Sequence, residues 1–281
     1  MRIFFMLVRR VPDVPSPILV EVFDILRSRG FDVQSGIAED MLAQPDRLVA
    51  RHDLYVLKSH TELSLSLAGV LHAQGARLLN PYPSCSTTQN KILTAQRLQA
   101  AGVSVPRSWV TGDTGLLCEL VEETPLIFKP YLGHRGAGIQ IARNRDELAR
   151  VGLGDTPVLA QEYIAGRGED LKVYVVGDEV FAVRKPFSQS SFTRPGRPCA
   201  VTPEVAELAR RCGAALGLGL YGLDVIESPR RPFVVDVNYF PGYKGVPGAA
   251  PLIAGYIESY AEGTRRLSLP GTLLEIESAG T

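Results

Sequence analysis

Three side chains near the C-terminal end of the sequence carry the chemistry most open to interpretation. In Asp236-Val237-Asn238-Tyr239-Phe240-Pro241-Gly242-Tyr243, a strand conformation puts Asp236 and Asn238 on one face and Val237 on the other. Asp224, near the end of the preceding apolar segment, can approach that polar face. Carboxylate and amide oxygens suit a hard divalent cation, and such cations also coordinate phosphates. A second group lies upstream, where Lys129 ends the apolar run Leu126-Ile127-Phe128 and precedes a loop containing Gly133, Gly136 and Gly138. A cation beside backbone that approaches closely positions phosphate oxygens, with exposed N–H groups around them. The loop matches neither the GxxxxGK[ST] phosphate loop nor a dinucleotide fingerprint.

Between these groups, Gln161-Glu162-Tyr163-Ile164 closes another apolar strand. Its main chain can meet an adenine edge, with Tyr163 and Ile164 as an apolar wall and either Glu169 or Asp170 reaching a ribose hydroxyl.

The elements that must position these groups fall into three stretches. Ile3–Val8, Phe31–Val33, Leu54–Leu57 and Ala76–Leu79 read as strands, and Pro17–Leu26 and Glu62–His72 as helices. That alternation predicts an N-terminal α/β domain with a mainly parallel sheet over residues 1–84. The turn-rich Asn80-Pro81-Tyr82-Pro83-Ser84 marks its boundary.

A helix over Thr87–Ala101, strands at Leu126–Pro130, Ile139–Ala142 and Val158–Ile164, and a short helix at Glu147–Val151 predict a small α+β lobe over 85–165. The last stretch, 166–281, carries the segments Leu171–Val176 and Glu179–Lys185 around Gly177-Asp178, which signals a hairpin. A helix from Pro203 to Leu216, strands at Gly222–Ile226 and Phe233–Val237, and a helix over Pro251–Tyr260 follow.

Composition narrows the partners. Thirty basic and thirty acidic residues balance, which argues against broad capture of nucleic acid or of an anionic membrane. Cys85, Cys118, Cys199 and Cys212 form no CxxC pair and read as thiols in a reducing compartment. The apolar start is interrupted by Arg9, Arg10 and Asp13 and reads as a buried first strand, so a soluble cytoplasmic protein is expected.

In this order, these pieces resemble the ATP-grasp superfamily over most of residues 1–260. The resemblance is carried by Asn90-Lys91, Phe128-Lys129-Pro130, the 161–164 segment and Asp236-Val237-Asn238. It implies that Lys91 and Lys129 contact nucleotide phosphates, helped by Gly136 and Gly138. It also implies that Gln161, Glu162, Tyr163 and Ile164 hold adenine with Glu169 or Asp170 near ribose. Asp224, Asp236 and Asn238 would hold Mg2+, or Mn2+ in its place.

Two branches are similar. Amino-acid-adding carboxylate–amine ligases share the order and size, although Asp236 stands where they commonly carry Glu and no Arg-x-Asn occurs within 186–200. In such a ligase Lys172, Arg184 or Lys185 would orient a carboxylate and its acyl phosphate. Inositol polyphosphate kinases share the segments 172–177, 185–186 and 236–246, which would make Lys58, His134, Lys172 and Lys185, with Asn238 and Gly242, a pocket for a phosphorylated polyol. The leading expectation is an ATP-dependent ligase joining small carboxylate and amine substrates, and a homo-oligomer is compatible with it.

Overall fold

The computed structural model describes residues 1–10, 14, 16–132, 138–152, 158–166, 168–186 and 196–269. The chain opens with β1 (Arg2–Leu7), α1 (Pro17–Ser28), β2 (Asp32–Ile37), β3 (Leu54–Leu57), α2 (Glu62–Ala73) and β4 (Leu78–Leu79). The four strands are parallel in the order β2-β1-β3-β4. Ile3 and Phe5 are fully buried, on the sheet face covered by Leu19, Val22 and Leu26 of α1. The strand order reverses between β1 and β3, and a ligand crevice forms at the carboxyl ends of strands at such a point. Lys58 immediately follows β3 there.

Next come α3 (Tyr82–Gln89) and α4 (Lys91–Ala100). The single helix expected over 87–101 is broken at Asn90, whose Oδ1 accepts from the backbone N–H groups of Ile92 (3.0 Å) and Leu93 (3.2 Å). An asparagine that caps a helix start competes with continuation of the helix before it. Asn80 to Ser84 is likewise not wholly irregular: α3 starts at Tyr82, because proline is tolerated in a first helical turn.

The small lobe holds β5 (Ser108–Thr111), α5 (Cys118–Glu123), β6 (Leu126–Pro130), β7 (Gln140–Ala142), α6 (Arg145–Leu148) and β8 (Val158–Glu162), an antiparallel sheet ordered β5-β8-β6-β7. It has its own core around Val121, Leu126, Phe128 and Ala160.

The last sheet is antiparallel, ordered β11-β10-β9-β12-β13, from β9 (Glu169–Val176), β10 (Glu179–Pro186), β11 (Arg197–Cys199), β12 (Leu220–Glu227) and β13 (Pro232–Tyr239). Helix α7 (Pro203–Leu216) ends on Gly217 at φ 65°, the left-handed conformation that glycine adopts without strain. Helix α8 (Ala249–Ala261) packs beside α1.

Two further cores join the first and last sheets. One combines Met6 and Leu57 with Leu171, Val173, Leu223 and Val237, and the other combines Phe5 and Val22 with Tyr243, Ile253 and Ile257. Asn80, fully buried, fastens the same junction. Its Nδ2 donates to Leu220 O (2.8 Å), and its Oδ1 accepts from the N–H groups of Gly219 (2.8 Å) and Leu220 (3.1 Å). Asn80→Ala strands these buried backbone groups and is expected to cost about 2–4 kcal/mol, read as a lower urea midpoint with an unchanged slope. A loss below about 0.5 kcal/mol would show that water replaces the amide.

Candidate active site

Strand alternation builds the polar face of the C-terminal sheet. Cross-strand partners Asp170↔Lys185, Lys172↔Asp224 and Asp224↔Asp236 share one face, and Asn238 lies two residues along β13 from Asp236. The intervening Leu171, Val173, Leu223 and Val237 are buried in the core behind them. This period-two pattern explains why Asp236 and Asn238 interrupt an apolar run.

Two lysines meet the acidic pair. Lys172 Nζ lies 2.6 Å from Asp224 Oδ2 and 3.5 Å from Asp170 Oδ2. Lys91 Nζ donates to Asp236 Oδ1 at 2.6 Å. Lys91 is the first residue of α4, and its N–H donates to Tyr131 O (2.9 Å), so the helix start is tied to the loop leaving β6. Asn238 Nδ2 donates weakly to Asp236 Oδ2 at 3.4 Å.

The small lobe faces this row across a cleft. Lys129 and Gln161 lie on the sheet face opposite Phe128 and Ala160, which fill the lobe's core. Lys129 is 7% exposed and donates to Val235 O at 2.9 Å. Gln161 is 4% exposed; its Nε2 donates to Ser108 Oγ (2.9 Å), and its Oε1 is buried without a partner. Lys91, Leu159, Gln161, Val235 and Asp236 line a cavity of about 30 Å³ here.

The electrostatics follow from burial and charge. Burial pushes the Lys129 ammonium below its ordinary range, with Asp236 and Asp224 opposing and Lys91 reinforcing. Burial also works against ionised Asp236, yet Lys91 and Lys129 prevail and hold its carboxyl below the usual carboxylate range. Lys172 is desolvated but ends above its ordinary value through Asp224 and Asp170. Lys185 falls through burial and the neighbouring charges of Lys172 and Lys244.

Other expected residues land elsewhere. Arg184 pairs in register with Leu171, so it lies on the opposite face of the sheet, bound to Glu227 at 2.6 Å. Glu169 likewise alternates away from Asp170, which leaves Asp170 as the acidic group beside Lys172. Glu162 pairs with Arg107 (3.1 Å), and Tyr163 is 40% exposed with its N–H donating to Pro125 O (2.8 Å). Ile164, just beyond β8, is half-buried. Lys58 Nζ sits 5.3 Å from the centre of the Phe240 ring. Gly138, at φ 73°, leaves no room for a Cβ, which would stand 2.9 Å from Pro130 Cγ. Gly242 lies between Phe240 and Tyr243, both at positive φ. His134 and Gly136 lie outside the described residues.

Ser108, which holds Gln161, was not read from the sequence as a site residue. Its strand is signalled only by Trp109-Val110-Thr111 between Pro106 and Gly112, a β-prone run short enough to pass for loop.

Two β-rich lobes bringing lysines over a carboxylate strand define the ATP-grasp architecture. The RimK-like ATP-grasp domain matches residues 88–250, and the chain belongs to that family. It is 33% identical over 215 residues to a probable alpha-L-glutamate ligase 1 of Hahella chejuensis, covering 69% of each chain. It is 32% identical over 197 residues to a probable alpha-L-glutamate ligase of Sodalis glossinidius, covering 63% of this chain. The chain spans 65% of the length of that second relative. A crystal structure of a RimK-domain ATP-grasp protein from Sphaerobacter thermophilus superimposes with a TM-score of 0.75 at 19% identity, over 94% of this chain and all of the other. That likeness establishes the fold. ATP-grasp ligases use ATP with Mg2+.

The donor set fits that ion. Asp224 and Asp236 stand opposite each other on neighbouring strands with Asn238 on the same face. One or two carboxylates with phosphate oxygens and water complete a magnesium shell, without an all-protein cage. Among the described residues no group of three His, Cys, Asp or Glu forms such a cage. No helix among them is long and apolar enough to cross a membrane.

Proposed function

We propose that the chain is an ATP-dependent carboxylate–amine ligase that acts through an acyl phosphate on a small amino-acid or peptide-like substrate. The observation that carries this reading is the meeting of Lys129, from the small lobe, with the Asp236 strand across one cleft. The unpartnered Gln161 Oε1 in the same cleft suits the exocyclic amine of adenine, a donor that a 6-oxo purine lacks. Asp224, Asp236 and Asn238 would hold Mg2+, which supplies charge neutralisation of the transferring phosphoryl group.

The chain's own residues do the rest. Lys129 and Lys91 bind phosphate oxygens, and Asp170 reaches ribose. Lys172 and Lys185 orient the carboxylate and stabilise charge on its acyl phosphate. Closure of the small lobe excludes water that would hydrolyse that species before the amine attacks. Lys58, at the crevice of the N-terminal sheet, contributes to the acceptor side. We assign 1–84 to acceptor binding, 85–165 to nucleotide binding and 166–281 to metal binding and catalysis, and place the protein in the cytoplasm.

Lys172, Lys185 and Lys244 form a basic group that also suits a phosphorylated polyol. The ligase names of the relatives do not favour that kinase reading, and nothing in the comparisons supports a homo-oligomer. A screen of carboxylates and amines with Mg2+ and ATP, read by intact-product mass, tests the proposal. An amide product with one ADP per amide supports it. ADP formed with a phosphorylated alcohol as the other product would replace it with the kinase reading.

A further inference from the structure

Each carboxylate assigned to the metal already holds an ammonium. Asp236 accepts from Lys91, and Asp224 is in contact with Lys172, both at 2.6 Å. The lysine side chains are only 19% and 11% exposed, so water screens these pairs poorly. The two cations arrive from different elements. Lys172 is fixed by its register opposite Asp224 on β9, and Lys91 by the capped start of α4. One small backbone shift therefore does not release both carboxylates.

A divalent ion on the same oxygens would sit within a few ångströms of both ammonium groups, and magnesium sheds its hydration shell reluctantly. A polyphosphate entering the cleft changes this balance, because it offers both lysines an anionic partner.

We propose that Lys91 and Lys172 are resident counter-cations that keep a divalent ion off Asp224 and Asp236 until nucleotide phosphates draw the ammonium groups away, so that metal binds with or after nucleotide. This inference rests on the nucleotide and metal reading of the cleft. A site competent only when its lysine is displaced has its dissociation constant raised by the reciprocal of the competent fraction. If that fraction is about one in ten, removing the lysine strengthens nucleotide-free metal binding about tenfold.

The test counts free Mn2+ by electron paramagnetic resonance in the full chain, with and without ADP. Wild type is expected to bind Mn2+ weakly alone and much more tightly with ADP. Lys172→Met and Lys91→Met, each checked by circular dichroism and thermal melting, are expected to bind Mn2+ alone about tenfold more tightly. Lys172→Arg keeps the charge and should stay weak. Tight Mn2+ binding by nucleotide-free wild type overturns the inference without recourse to any variant. Folded Met variants that bind no more tightly than wild type overturn it as well. Failure of wild type to bind Mn2+ with ADP at all would instead count against the nucleotide reading.

Discussion

Lys129→Met is expected to lower kcat/KM for ATP by about a thousandfold, equivalent to about 4 kcal/mol of lost transition-state stabilisation. Lys129 as a whole is 7% exposed and its ammonium lies in the interlobe cleft, where a charge aimed at phosphate would act with little competition from water. Methionine preserves the length and the apolar stem, so the β6–β8 pairing should survive and melting should change little. Arginine is not expected to rescue, because its planar fork cannot replace a compact ammonium at the Val235 carbonyl. Burial lowers the Lys129 pKa, so the charge proposed to bind phosphate is lost on the alkaline side earlier than for an exposed lysine. A variant within threefold of wild type at saturating Mg2+ would remove Lys129 from the phosphate site.

Asp236→Asn is expected to cost about a thousandfold or more in turnover, with a strongly raised requirement for Mg2+. The amide keeps shape and a weak oxygen ligand but loses the charge proposed to bind the cation, which also balances Lys91 and Lys129. Glu at this position keeps the carboxylate and should retain far more activity than Asn. Lys91 and Lys129 outweigh burial and depress the Asp236 pKa, so its contribution is present above the ordinary carboxylate range and lost only as the pH falls through the depressed value. A Mg2+ titration unchanged by the Asn substitution would exclude Asp236 as a ligand.

Much of this arrangement is legible in residue order, for identifiable reasons. The alternation of Asp236 and Asn238 around apolar Val237 specifies a half-buried strand, and the structure pairs that strand with the one carrying Asp224. Helix α7 spans Pro203–Leu216 as read, with Pro203 inside its first turn. The break at Asn90 is less visible, because only the cap geometry shows which of two adjoining helices the asparagine serves. Arg184 illustrates a different limit. It adjoins Lys185 in sequence, yet a pleated strand sends neighbours to opposite faces, and only the register with Leu171 shows which of the two reaches the site. The Lys172–Asp224 contact joins residues on β9 and β12, a pairing that periodicity within either segment does not contain.

Isotope transfer tests the ligase reading most directly. A carboxylate substrate labelled with oxygen-18 on both oxygens is incubated with the full chain, Mg2+, ATP and the amine, and the released inorganic phosphate is weighed. If the carboxylate attacks the γ-phosphorus, one labelled oxygen bridges carbon and phosphorus. Amine attack at carbon then leaves that oxygen on phosphate and the other in the amide. The predicted result is one oxygen-18 per phosphate and one per amide. Unlabelled phosphate alongside an amide would contradict the acyl phosphate route, and γ-phosphate retained on an alcohol product with no amide would contradict ligation itself.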